Sequence, residues 1–400
     1  MKRIKNIYIH IVPALFILCF MNTVNADSFY SSIGLGIPNY FVSQKASGMG
    51  GAGIGVVDQF ALNAANPAAI NINGLTTISV NSYFNMSVSK INDQSVVTRN
   101  GYPSGFHFIM PLKKNFLLLS SVKSLTASKY TLSMDQSNDD VNYSRLVRGN
   151  GGLSSGSLGL QYQINDKFYI GALSNFIFGT FNEEWQTRFE DESYMDASDD
   201  FVSHLWGMGF DIGVYAKPMP NLSLGLVYKS KSVLHLENNI TLGSSKKLSP
   251  ITSELDYPSS LGFGTSYKIS KVLLAVDYYT QFWKQYDDKN FSNYPDYKRL
   301  GAGLEYLDSN DVLAKYHRRV AYRFGVYFAQ LPFNDLSGDP VNEKFISFGL
   351  GLPFHKYYGR VDFAVEAGLR GKASENSFED TVIRFSGSIT GSELWFQRRH

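Results

Sequence analysis

Along most of the chain the apolar residues recur at every second position, the mark of strands whose two faces meet different surroundings. In Val361 to Arg370, one face carries Val361, Phe363, Val365, Ala367 and Leu369, and the other Asp362, Ala364, Glu366, Gly368 and Arg370. Ile346, Phe348, Leu350 and Leu352 alternate in the same way with Phe345, Ser347, Gly349 and Gly351. So do Leu261, Phe263, Thr265 and Tyr267 with Ser260, Gly262, Gly264 and Ser266, and Leu222, Leu224, Leu226 and Tyr228 with Ser223, Gly225, Val227 and Lys229. One face is lipid-like throughout; the other is polar or glycine.

This periodicity predicts strands at 76–91, 101–112, 115–134, 153–164, 167–190, 201–217, 221–242, 257–269, 271–286, 297–307, 319–331, 342–353, 357–372 and 379–391. The connections alternate in length. Short turns fall at 111–115, 165–167, 218–221, 270–271 and 354–356, and longer polar stretches at 91–100, 135–152, 190–200, 243–256, 286–296 and 332–340. The pattern predicts an all-β fold, a transmembrane antiparallel β-barrel of about fourteen strands, with short periplasmic turns and longer outer loops. An even strand count returns the chain to its starting side, so both barrel ends are expected in the periplasm. Tyr278, Tyr279, Phe282, Trp283 and Tyr286 at one level, and Phe354, Tyr357 and Tyr358 at the other, are expected to form the interfacial aromatic girdles.

Composition narrows the class further. Charged residues make up 18% of the chain and aromatics 14%; soluble domains carry about 25% charged residues. Lys2, Arg3 and Lys5, the apolar run Ile7 to Met21, and Val24-Asn25-Ala26 read as a signal peptide over 1–26. Without its three basic residues the chain holds 34 basic against 35 acidic residues, a formal charge of −1. Nothing in that balance calls for nucleic acid. The one cysteine, Cys19, lies inside the signal segment, so disulfides and thiolate metal sites are not expected. No later segment reaches the roughly 18 apolar residues of a membrane helix.

The stretch Ala46 to Ile70, ASGMGGAGIGVVDQFALNAANPAAI, breaks the alternation. It is small, glycine-rich and nearly uncharged, which suits a segment threading a lumen, where glycine lets the backbone turn and approach its neighbours closely. Pro67 sets a bend and pushes Asn66 out of helical geometry. We therefore expect a plug over 27–74 and a barrel over 75–400. The run through Gly48, Met49, Gly50 and Gly51, followed by Asn66, Pro67 and Ala68, resembles the amino-terminal hatch of the FadL-type outer-membrane transporters of hydrophobic compounds. The resemblance implies a channel for passive uptake of long-chain fatty acids or other hydrophobic compounds, gated by the hatch, with a ligand leaving sideways into outer-membrane lipid. It implies Gly48, Gly50, Gly51, Asn66, Pro67 and Ala68 as hatch residues. The alternative is a barrel similar to PorV, binding envelope protein partners in a secretion apparatus.

Asp277, Arg299, Glu305, Arg323, Asp362, Glu366 and Arg370 all fall on the inward parity of their strands. Buried charges are seldom left unpaired, so these are expected to brace the barrel and hold the plug; the other reading is that they guide a carboxylate or line a gate. Phe176, Ile177, Phe178, Phe181 and Met208 face either lumen or lipid. No catalytic or metal constellation is apparent and no cofactor is expected. Gly151 to Gly159, GGLSSGSLG, precedes a strand and not a helix, so no helix N-terminus is there for an anion. His204, His235, His317 and His355 are scattered over strand ends and turns.

Overall fold

A computed structural model describes residues 28–395 apart from 41, 59–62, 71–73, 92–93, 114, 139–140, 192, 244–245, 287–293, 355–357 and 377. The signal segment, the tail from Phe396, and Tyr357 and His355 lie outside the described residues. Fourteen antiparallel staves close into a barrel: β1 (Thr76–Ile91), β2 (Gln94–Lys113), β3 (Phe116–Ser124 and Thr126–Asn138), β4 (Val141–Asn165), β5 (Phe168–Phe189), β6 (Ala197–Met219), β7 (Leu222–Lys229 and Ser232–Leu242), β8 (Ile251–Tyr257 and Ser260–Ile269), β9 (Val272–Gln281), β10 (Tyr297–Leu307), β11 (Ala321–Asn334), β12 (Pro340–Phe354), β13 (Gly359–Arg370) and β14 (Glu379–Glu393). Closure is by β14 on β1, in register from Glu379 opposite Lys90 to Glu393 opposite Thr76.

Within the apolar band the period of two sorts the staves. In β13, Phe363, Val365 and Leu369 are exposed on the outer wall while Asp362, Ala364, Glu366 and Arg370 are buried inside. The wall is covered with large apolar side chains such as Phe263, Leu300, Phe324 and Phe348, each about half exposed, a surface that only lipid solvates well.

The two ends of the barrel differ. At one end the staves join through short turns, apart from the longer connection 308–320 between β10 and β11. At the other, β4, β5 and β6 run for 25, 22 and 23 residues, about twice what crossing a bilayer requires. Two stretches expected as loops, 91–100 and 135–152, are therefore largely strand: β2 starts at Gln94, and Thr126–Asn138 pairs with β4 as a long hairpin. Beyond the apolar band both faces of a strand are wet, so the alternation that reveals it fades while backbone pairing continues. The girdle assignment also needs correction. Tyr279 and Trp283 are buried inside, against Tyr297 and Tyr257, because Tyr279 shares the inward parity of Asp277. Tyr278, one residue away, is the exposed one.

Candidate functional site: the filled lumen

The described residues of 28–70 lie inside the barrel. They start near the long-hairpin end, where the Ser28 hydroxyl meets the Asp380 carboxylate and the Tyr30 hydroxyl donates to the Phe378 carbonyl at 2.6 Å. A two-residue strand, Ile37–Pro38, then pairs with Thr126 and Ala127 of β3. A single helical turn, Gln44–Ser47, is capped by the Ser43 hydroxyl, which accepts from Ala46 N–H. The chain then descends towards the short-turn end.

Below that turn the segment rests backbone to backbone on wall glycines. Gly50 and Gly51 have φ of +64° and +73°, conformations that residues with a Cβ rarely adopt. A Cβ on Gly325 of β11 would sit 2.1 Å from Gly50 N, and one on Gly48 2.9 Å from the Gly349 Cα. The Asn-Pro corner is seated likewise. Asn66 Nδ2 donates to the carbonyls of Ile54 and Val214 at 3.0 and 3.1 Å, its Oδ1 accepts from Ala68 N–H, and a Cβ on Gly213 would collide with that oxygen. Gln161 of β4 donates to the carbonyls of Ala68 and Ile70.

The inward charges meet in a chain of ion pairs that laces segment to wall. Lys45 Nζ lies 2.7 Å from Glu305, whose other oxygen accepts from Arg323 Nε at 2.7 Å. Arg323 continues to Asp362 at 2.6 Å, Asp362 accepts from Arg360 Nε at 2.6 Å, and Arg360 ends on Asp58. Asp277 accepts from the N–H groups of Gly53 and Ile54, both at 2.6 Å. Nearer the long-hairpin end, Arg370 bridges Glu343 and Asp380 at 2.7 and 3.4 Å, and Glu366 pairs with Arg384 at 3.3 Å. Arg299 differs: its guanidinium lies between the Tyr40 and Tyr327 rings, 4.5 and 4.0 Å from their centres, an arrangement held by the ring quadrupoles.

Sequence inspection singled out Glu305, Arg323, Asp362 and Arg370 but not Lys45, Arg360, Glu343 and Asp380, which pair with them, nor Asp58, which pairs with Arg360. Arg360 was within reach, since one more step along the inward parity of β13 leads from Asp362 to it. Lys45 and Asp58 were not, because no periodicity tells where a non-repeating segment places a side chain. Of the apolar candidates, Phe176, Phe178 and Met208 are exposed on the outer wall, whereas Ile177 is buried inside.

One seam of the wall is incomplete. The pairing of β2 with β3 runs from Lys113 opposite Phe116 to Gly105 opposite Lys123 and stops there. Above it β2 pairs with β1 alone, after a register shift between Asn81 and Ser82, and the upper half of β3 pairs only with β4 and with Ile37–Pro38. Asn39 sits at the point of divergence. Its N–H donates to Leu125 O at 2.8 Å, its Nδ2 to Tyr102 OH and Ser124 Oγ at 2.7 and 2.9 Å, and its Oδ1 accepts from Tyr83 OH at 3.0 Å. The inner side of the split is thus covered by residues 29–39.

Two sizeable cavities flank the filled middle. Towards the long hairpins, a cavity of about 530 Å³ has a floor of Leu35, Phe181, Leu205, Leu236 and Leu255 and polar groups such as Asn182 and Glu183 at its sides. At the short-turn end, a cavity of about 500 Å³ is bounded by basic side chains. Between them Tyr40, Tyr257, Tyr279 and Tyr297 leave only about 80 Å³ beside Lys123 and Asp211.

Comparison with solved structures finds the same barrel. A FadL homologue of Pseudomonas aeruginosa superposes with a TM-score of 0.64 at 15% identity, over 89% of this chain and 99% of that one. The toluene transporter TbuX of Ralstonia pickettii gives 0.61 at 15% identity, over 87% and 97%, and the toluene transporter TodX of P. putida 0.59 at 14%, over 89% and 99%. At such identities the likeness is one of fold. No curated protein sequence matches. The sequence model of the BamG family matches residues 3–400.

Proposed function

The chain belongs to the BamG family, and from its FadL-type outer-membrane barrel we propose a channel for passive uptake of long-chain fatty acids or other hydrophobic compounds, with residues 27–74 as its hatch and the short-turn end in the periplasm. A ligand would be caught outside in the 530 Å³ cavity, whose leucine floor takes the apolar part while Asn182 and Glu183 keep the rim wet. The closed middle of the lumen argues against a straight path to the periplasm, and an apolar chain gains about 0.8 kcal/mol per methylene on leaving water. Sideways release into the bilayer therefore costs least.

The observation that carries this reading is the split between β2 and β3, covered from inside by Ile37–Pro38 and Asn39. Withdrawal of that strap breaks few backbone bonds and leaves the barrel otherwise paired. Solved structures with this fold include a FadL homologue and toluene transporters, which is consistent with a hydrophobic ligand.

The test is uptake of a labelled long-chain fatty acid and of labelled toluene by cells lacking their own transporters. The parent is compared with Ile37→Cys/Ala127→Cys, two residues that face each other across the strap. Uptake of either compound by the parent, its loss on oxidation and its return with reductant are expected. An assembled parent that takes up neither compound, or an oxidised variant as active as the parent, would sink the proposal.

A further inference from the structure

The short-turn mouth has chemistry that a path for hydrophobic compounds does not use. Its cavity of about 500 Å³ is lined by six cationic side chains, Lys45, Lys217, Lys268, Lys271, Arg319 and Arg360, against two carboxylates, Asp58 and Glu305. Both carboxylates are already matched, Glu305 by Lys45 and Arg323 and Asp58 by Arg360. Lys217 and Lys268 make no ion pair among the described residues. The mouth therefore presents excess positive charge to whatever enters from the short-turn side.

Beside it stands a braced platform. The connection 308–320 between β10 and β11 contributes Ser309, Asn310 and Arg319 to the same cavity. Asp308 anchors it through Arg318 and Lys271, and Ser309 N–H donates to Arg318 O at 2.8 Å. At its tip Leu313 is 92% exposed, with Tyr316 half exposed nearby. The Asp311 carboxylate accepts from Leu313 N–H at 2.9 Å, which sets the backbone that presents this leucine. Leu313 and the amphipathic Tyr316 ring offer a partner's apolar side chain a surface to pack on beside the cationic mouth.

From these two features together, we infer that the short-turn mouth binds an acidic polypeptide segment of a periplasmic partner, its carboxylates entering towards Lys217 and Lys268 while an apolar side chain packs on Leu313 and Tyr316. Lipid headgroups fit less well, because these lysines line a cavity inside the ring of turns and not the outer wall. A small free anion would use the charge and leave the Leu313 and Tyr316 surface uncovered. The inference rests on the proposed function only for the short-turn end facing the periplasm and is otherwise independent of uptake.

The test uses the full-length protein in an uncharged detergent and a short synthetic glutamate-rich peptide carrying two leucines, with a lysine-for-glutamate version as control. The glutamate peptide is expected to bind, more weakly as salt rises, and the lysine peptide to show no binding. Lys217→Glu/Lys268→Glu is expected to weaken binding about tenfold or more, and Leu313→Ser several-fold. Both changes sit on exposed positions, and unchanged heat-modifiable gel mobility confirms the barrel. Equal binding of the two peptides, or undiminished binding by the charge-reversed variant, overturns the inference. So does displacement of the peptide by inorganic phosphate at equal charge concentration, or its loss in phosphatidylglycerol but not phosphatidylcholine nanodiscs.

Discussion

The lower and upper halves of the lumen are both filled by described residues of 28–70, but different forces hold them. Near the short turns the segment is fixed by buried ion pairs through Lys45 and Asp58 and by glycine contacts in which no side chain intervenes. Near the long hairpins it is held by a two-residue strand, a few hydrogen bonds from Ser28, Tyr30 and Asn39, and aromatic packing. A buried charge left without its partner is costly in every intermediate position, so the lower half behaves as a floor. The upper half can exchange its hydrogen bonds for water one at a time, so it is the half suited to move.

The sharpest way to break this contrast is at Arg360. Arg360→Met leaves Asp58 buried without its cation and is expected to cost about 3–5 kcal/mol. Denaturant unfolding in detergent measures the loss, and planar-bilayer recording should show a new ion leak where the floor has lifted. Asp58→Asn added to Arg360→Met should recover part of the stability, since the stranded charge is gone. A silent recording together with unchanged stability would mean that the floor does not depend on this pair.

A smaller effect is expected above. Tyr30→Phe removes the donor to the Phe378 carbonyl and is expected to cost about 1 kcal/mol. Its readout is local: faster proteolysis or hydrogen exchange of residues 28–39, with the exchange of Gly48 to Ala52 unchanged. If both stretches loosened together, the segment would be one cooperative unit and the two-part description would fail.

The smallest effect concerns the short-turn platform and pH. Hydrogen bonds from Arg318 and then Lys271 hold the Asp308 carboxyl down to about 2. A carboxylate lowered in this way adds stability that is complete above its unfolded value, near 4, and is lost as pH falls through its folded value. Protection of 308–320, with the intrinsic pH dependence of amide exchange divided out, should therefore be flat above about pH 4 and fall only towards pH 2. Asp308→Asn should remove that step. A change in protection between pH 5 and 7 would point to another group.

Alternation of residues by itself determined the barrel, its strand number and the side of the wall on which Asp362, Glu366 and Arg370 lie. Period two is a local property, and lipid outside with a polar interior imposes it on every stave. It also missed what ceases to be local. The hairpin built from Thr126 to Asn138 and the first half of β4 continues into water, where neither face is penalised and the pattern disappears. Tyr279 and Trp283 carry no sign of whether they face lipid or lumen beyond their parity, which aromatic type alone overrode. Which cation meets which carboxylate, where Lys45 and Asp58 reach the wall, why Gly213 and Gly325 lack side chains, and where β2 parts from β3 were decided only by tertiary structure. Each depends on contacts set by the closed barrel, some of them, such as Lys45 with Glu305 and Asp58 with Arg360, between residues more than two hundred positions apart, and no one-dimensional pattern encodes them.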